Sequence, residues 1–246
     1  NKLAFITGAT SGIGLATAKA LAENGYDLAL AARSEEKLYA VKNSFEKDYG
    51  VKVTPYPLDV RDRDAVQTLP AAAFETGTPD VLVNDAGLAR GLEPYSSNDV
   101  DDIIQTIDTN IKGLFLVTRA FLPAMLKRNT GHIINLGSTA GLYAYAGARS
   151  LFTKAAVKTF SDGIRIEVID SDIKVTTIQP GIVETPFSEV RFHGDKERAA
   201  AVYEGIDALQ AEDIPNNRLC REPPEASSQI SDSSLLANHA GTGSAI

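Results

Sequence analysis

The chain predicts an α/β fold with a doubly wound parallel sheet in a single domain, and three observations carry that expectation. Short apolar runs alternate with stretches of helical period along residues 1–190, as they do in consecutive βαβ units. The first apolar run ends in a glycine-rich turn, "TGATSGIG", which opens directly into a helical pattern. Finally, 246 residues with 43% hydrophobic and 23% charged side chains suit one large core of ordinary soluble composition.

In chain order, Leu3–Thr7 reads as the first strand, and a helix runs from about Gly12 to Asn24, where Gly25 offers a C-terminal stop. Asp27–Ala32 is the second strand and Glu35–Tyr49 a charged amphipathic helix. Val51–Leu58 is the third strand, and its Pro55 and Pro57 predict an edge or an irregular ending. Asp64–Phe74 is helical, Asp80–Asn84 is the fourth strand, and Val100–Lys127 holds one or two helices. Gly131–Leu136 is the fifth strand, Ser150–Ile169 a helix, and Ile173–Gln179 the sixth strand, ended by Pro180-Gly181.

Beyond Thr185 the pattern loosens. Residues 186–211 read as a substrate lid containing a helix over Arg198–Leu209. A parallel sheet of this size calls for a further helix and a buried strand. Residues 215–246 offer neither period and read as loop or disorder. No internal repeat or second domain is visible.

Charge and composition exclude several classes. Twenty-four basic against 32 acidic residues give −8, which opposes long-range attraction to nucleic acid. No apolar run approaches a membrane span, and Asn1 leads into the first strand without a basic-then-apolar signal. The single cysteine, Cys220, permits no intrachain disulfide, so a cytoplasmic setting is expected. His132, His193 and His239 lack metal-ligand spacing, and no metal is expected.

The glycine-rich turn points to a phosphate. Gly8 and Gly12 permit tight turning and close backbone approach, while Gly14 lets the helix pack on the sheet. The N–H groups and positive dipole end of the helix then face a diphosphate. The second strand ends "ALAARSEEK". An acidic residue there would suit a ribose 2′-hydroxyl, whereas arginine accommodates a 2′-phosphate. Arg33 supplies a fork of donors, and the Ser11 and Ser34 hydroxyls add to it. The predicted cofactor is NADP.

These residues together resemble the short-chain dehydrogenase/reductase family, a Rossmann-type fold, and the match continues through most of residues 1–190. The segment "TGATSGIG" places Thr10, Ser11 and Ile13 with its glycines among the family's cofactor contacts. "LDV" places Asp59 and Val60 at the adenine. "NDAG" resembles the family's Asn-Asn-Ala-Gly element, with Asn84, Ala86 and Gly87 in register and Asp85 departing from it. The resemblance implies that Asn110 helps hold a proton-relay water and Ser138 hydrogen-bonds the substrate carbonyl. It also implies that Lys154 binds ribose hydroxyls and lowers a neighbouring tyrosine's pKa. "PGIVETPF" resembles the segment that orients the nicotinamide carboxamide, with Pro180, Gly181, Val183 and Thr185 in place.

Within the family, "GSTAG" and "FSEVRFHGD" resemble the NADP-dependent group acting on serine and other small 3-hydroxy acids. Arg191 is the candidate for the substrate carboxylate, which a guanidinium captures bidentately. The family also implies a homo-oligomer, dimer or tetramer, built through the helices near residues 100–127 and 150–169.

One residue breaks the pattern. The family's Tyr-x-x-x-Lys motif puts both side chains on one helix face, and four residues before Lys154 stands Ser150. A serine hydroxyl is far less acidic than a phenol and shorter. Tyr143 and Tyr145 lie nearby, ahead of the helix. Three readings stay open here: an impaired dehydrogenase, a catalytically silent NADP-binding sensor or scaffold, or a misassigned residue that an intact mass would reveal. A hydrolase using Ser138 is disfavoured, because no nucleophile elbow is present.

Overall fold

The structure is a computed structural model and describes residues 1–73, 77–91, 93–142, 152–215, 232–235 and 238–239. Through the first half the elements are β1 (Leu3–Thr7), α1 (Gly12–Glu23), β2 (Asp27–Ala32), α2 (Glu35–Tyr49), β3 (Val53–Pro57), α3 (Arg63–Ala73) and β4 (Val81–Asn84). Then come α4 (Val100–Ile107), α5 (Leu114–Arg128), β5 (Gly131–Leu136), α6 (Phe152–Glu167) and β6 (Ile173–Pro180). The remainder is short: β7 (Val183–Glu184), α7 (Phe187–Arg191), α8 (Lys196–Ala201), β8 (Ile206–Asp207), β9 (Leu209–Gln210), β10 (Asp232–Leu235) and β11 (Asn238–His239).

The main sheet runs β10-β6-β5-β4-β1-β2-β3, and its pairings are parallel throughout. β1 pairs with β2 on one side and β4 on the other. The chain order therefore reverses at β1, and the loops after β1 and β4 lie side by side at the carboxyl ends of these strands. That crevice is where open α/β sheets bind ligands.

Alternation along each strand sends side chains to both faces. In β1, Ala4 and Ile6 join Leu21, Leu28 and Val83 on the face covered by α1 and α2. Leu3 and Phe5 turn to the other face, with Leu82, Phe121, Met125 and Ile133. Phe5 and Phe121 are fully buried, with ring centroids 4.6 Å apart. Truncating either to alanine costs about 3–5 kcal/mol.

Several boundaries differ from the sequence reading for identifiable reasons. β3 is shorter than expected and lies at the sheet edge, where Pro55 and Pro57 can lack N–H donors. The 100–127 stretch divides into α4 and α5 through a π-helical turn, Asp108–Gly113, a feature that periodicity alone does not reveal. The expected Arg198–Leu209 helix is displaced. Asp195 caps α8 by accepting the Arg198 N–H at 3.1 Å, and Gly205 at φ +73° turns the chain into β8.

The C-terminal segment also needs correction, since residues 232–235 form a seventh strand beside β6. "DSSL" has little strand propensity of its own. The backbone edge of β6 supplies the pairing groups, so composition conceals this strand.

Candidate active site

A cavity of about 480 Å³ opens along the carboxyl ends of the central strands. At its middle lies the loop after β1, where Gly8, Thr10, Ser11, Gly12 and Ile13 line the wall. Gly12 adopts φ +52°, and a Cβ there would sit 3.3 Å from Thr185 Cβ. The phosphate loop and the segment after β6 thus approach to van der Waals contact. Gly14 is buried and does not line the cavity. A Cβ on it would fall 2.4 Å from the Gly8 carbonyl oxygen and 2.6 Å from Asp85 Oδ2. Its role is to seat α1 under the loop.

At one end of the cavity are Arg33, Ser34, Asp59 and Val60. Ser34 caps α2, its Oγ accepting the Lys37 N–H at 3.4 Å. Lys37 itself lines the cavity, as does Arg61; sequence reasoning missed both. Lys37 lies in the first turn of α2, directly after the Arg33–Ser34 strand end, a proximity that could have found it. Arg61 grips Asp59 through Nε and a terminal nitrogen at 2.6–3.0 Å. That fork holds the Asp59 carboxyl below the usual carboxylate range, and the Arg33 charge adds a smaller pull. Arg33, Lys37 and Arg61 therefore make this end cationic.

At the other end are Asn110, Ser138, Lys154, Pro180, Gly181, Val183 and Thr185, with Ala86 and Gly87 alongside. Asn110 sits in the π turn and clamps the loop after β4. Its Oδ1 accepts the Leu88 N–H at 2.8 Å, and its Nδ2 donates to the Leu88 carbonyl at 2.8 Å and to Thr153 Oγ1 at 3.1 Å. Ser138 Oγ accepts the Ala140 N–H at 3.2 Å and donates to the Pro180 carbonyl at 3.3 Å. Lys154 Nζ donates to the Leu136 carbonyl at 2.7 Å, tying α6 to the end of β5. A Cβ on Gly141 would meet the Lys154 carbonyl carbon at 2.7 Å. The turn after Ser138 can therefore pack directly on the first turn of α6. Ser150, Tyr143 and Tyr145 lie outside the described residues.

Besides Gly14, two sequence-selected residues stand apart from the cavity. Asn84, expected among the cofactor contacts, is buried behind it. Its Nδ2 donates to Thr118 Oγ1 at 3.0 Å and to Asn135 Oδ1 at 2.9 Å, and Asn135 Nδ2 donates to Ser161 Oγ at 2.8 Å. It therefore acts on the site from behind, by fixing β4 against α5 and β5. Arg191 lies at the end of α7 with its guanidinium 5.5 Å over the Phe187 ring. Phe187 and Val190, from the same helix, line the cavity; Arg191 does not.

Asp85, which departs from the family pattern, lines the cavity against the phosphate loop and within electrostatic reach of Lys154. Desolvation pushes its carboxyl up to about 7, against the opposing pulls of the Lys154 charge and the Gly14 N–H. Burial likewise lowers the Lys154 ammonium, and Asp85 works against that shift.

Residues 190–193 are stitched to the loop after β4 and to α4. Arg90 donates to the Val190 carbonyl at 2.6 Å, the Gly91 N–H to the Arg191 carbonyl at 2.9 Å, and His193 pairs with Asp102 at 3.0 Å. Tyr203 OH lies 2.6 Å from Ser188 Oγ, joining α7 to the chain beyond α8.

The model of the family described as short chain dehydrogenase matches residues 2–196. The chain belongs to that family. It is 45% identical over 215 residues to the NADP-dependent 3-hydroxy acid dehydrogenase of Salmonella typhi, covering 86% of this chain and 85% of the relative. It is 38% identical to the Schizosaccharomyces pombe NADP-dependent 3-hydroxy acid dehydrogenase, over 98% of this chain and 94% of that one. Among solved structures, the closed form of serine dehydrogenase complexed with NADP+ superposes with a TM-score of 0.90 at 36% identity, covering 99% of this chain and 98% of the other.

The site of this short-chain dehydrogenase fits a dinucleotide on its own features. The phosphate loop has no side chain at Gly8 and Gly12, and α1 begins there, with Ser11 giving no side-chain cap. A cationic cluster and a lysine–serine pair occupy opposite ends of one cavity. Among the described residues, no group of three or more His, Cys, Asp or Glu could hold a metal. None of the described helices is long and apolar enough to cross a membrane.

Proposed function

We propose that the protein is an NADP-dependent oxidoreductase that interconverts a small 3-hydroxy acid, such as serine, and its 3-oxo form. The observation that carries this reading is the single cavity joining the phosphate loop, the Arg33–Lys37 cations and the Ser138–Lys154 pair. Arg33 and Lys37 hold the 2′-phosphate, and the α1 amino end takes the diphosphate. Thr185, Val183, Pro180 and Gly181 orient the nicotinamide end. A bound NADP supplies the hydride acceptor, and NADPH the donor in reverse.

The chain's own groups manage the substrate and the proton. The Ser138 O–H, which donates to the Pro180 carbonyl here, turns to the substrate oxygen when substrate binds and stabilises charge developing there. Lys154 spends one of its three N–H donors on Leu136 and keeps the others for ribose hydroxyls. Asn110 holds the Leu88 backbone, which walls the cavity. Leaving Phe187 would let Arg191 reach a substrate carboxylate. Ser150 stands four residues before Lys154, where the family's motif carries its tyrosine, and lack of a phenol there slows the chemical step by roughly 10²–10⁴. Ser150 is the feature that favours the silent-binder alternative; the dehydrogenase names of the relatives support the enzyme.

The lid over residues 186–211 admits substrate. The chain self-associates as a dimer or tetramer through α4, α5 and α6, where Val100, Ile104, Phe115 and Phe152 are exposed. It works in the cytoplasm. Turnover of NADP with serine, 3-hydroxy acids and neutral alcohols tests the reading. Absence of turnover with the whole panel at saturating cofactor overturns it.

A further inference from the structure

The carboxyl of Asp85 is used by none of the steps above, yet it lies against the phosphate loop. Its Oδ2 is among the atoms that a Cβ on Gly14 or Gly8 would strike, at 2.6 and 3.0 Å. It also accepts the backbone N–H of Gly14, in the first turn of α1. The backbone holds it there firmly: the N–H groups of Asp85 and Ala86 both donate to Thr7 Oγ1 at 3.1 Å. An anion is thus built into the amino end of the helix expected to receive the diphosphate.

Two anions competing for one helix terminus repel, and the repulsion is strong where protein replaces water. We propose that Asp85 makes dinucleotide capture proton-linked: docking of the diphosphate on the loop is accompanied by uptake of one solvent proton at the Asp85 carboxylate. The new O–H bond forms on Asp85, and nothing is oxidised or reduced. The proposal rests on the dinucleotide reading of the site.

The surroundings favour uptake. From α6, Lys154 is the charged group acting on Asp85; α1 contributes the Gly14 N–H, and the loop after β1 only backbone. Asp85 borders the cavity, so a bound dinucleotide displaces its remaining water and adds negative charge nearby. Both effects raise the carboxyl further from a starting point already near neutrality. Protonated, Asp85 keeps one oxygen for Gly14 and no longer competes for the Lys154 charge. Asparagine has the same shape without the titration, so Asp85→Asn isolates the effect.

The test is NADPH binding, not turnover. Calorimetric titrations of the wild-type protein in two buffers of different ionisation heat, at pH 8, read the proton count directly. Uptake of between half a proton and one proton is expected, on the order of one titrating group. Fluorescence titrations across pH 6–9 should show wild-type affinity falling roughly three- to tenfold per pH unit above neutrality. Asp85→Asn should remove that fall and bind more tightly at pH 9. NADH, which lacks the 2′-phosphate and its own titration near pH 6, should reproduce the difference between the two proteins.

Binding without proton uptake by the wild type, or equal pH slopes in both proteins, overturns the inference and leaves the dinucleotide reading standing. No binding by either protein at any pH overturns both.

Discussion

The two ends of the cavity are built differently. The phosphate and adenosine end rests on β1, β2 and α1, where local sequence dictates both backbone and chemistry. A glycine turn, the amino end of α1 and an arginine at a strand end supply its frame within 33 residues, and Lys37 and Asp59–Arg61 complete it. The reaction end is assembled from distant pieces, with Asn110 in a π turn, Ser138 after β5, Lys154 on α6 and Thr185 after β6. Binding can therefore survive changes that abolish chemistry, and the proton donor is the part most easily lost.

Perturbations should separate the two ends. The largest effect is expected at the reaction end. Ser150→Tyr should raise kcat by roughly 10²–10⁴, about 3–5 kcal/mol of barrier, while NADPH affinity changes little. Steady-state rates and fluorescence titration check both halves.

Acid should attack the shared sheet. His132, 3% exposed on β5, has its Nε2 2.9 Å from Thr176 Oγ1. Burial pushes the imidazole down to about 4 from 6.5, and Lys174 adds to the shift. The folded state keeps the ring neutral while the unfolded chain protonates it. The associated stability is present above pH 6.5 and is lost as pH falls through 4, with a full loss of about 3 kcal/mol. Thermal unfolding from pH 7 to 4 should show that loss, and His132→Gln should flatten it.

At the binding end, Gly14→Ala forces a Cβ against backbone and should destabilise by about 1–3 kcal/mol. NADPH binding should weaken with it, by at least roughly tenfold, in parallel Tm and titration measurements. Arg33→Ala is milder. Loss of a charge-assisted phosphate contact should weaken NADPH roughly tenfold, about 1.4 kcal/mol, with NADH nearly unchanged. Smallest is Arg191→Ala, which should raise KM for 3-hydroxy acids by a fewfold and spare neutral alcohols.

Legibility in the sequence followed the same division. β1, α1, β2 and α2 were visible because turn glycines, caps and period lie within short windows. Lys37 and Arg61 escaped because an exposed basic side chain near a strand end looks like ordinary surface until the cavity is seen. The π turn at 108–113 escaped because it shifts hydrogen bonds without changing composition. β10 escaped because β6 organises it. Asn84 could be assigned to the site only in general terms; its burial behind the wall depends on Thr118, Asn135 and Ser161, which lie far along the chain.

That last cluster has a mechanical meaning. Greasy surfaces can slide by a fraction of a side chain at small cost, whereas an amide seated on a hydroxyl has one good position. The Asn84–Asn135–Ser161 run bolts β4, β5 and α6 at fixed offsets, with Thr118 anchoring it to α5. Asp85 follows Asn84 directly, and Lys154 stands two helical turns before Ser161. The span between those two opposite charges is therefore gauged by neutral groups behind the wall, as a ruler sets a gap without touching what passes through it.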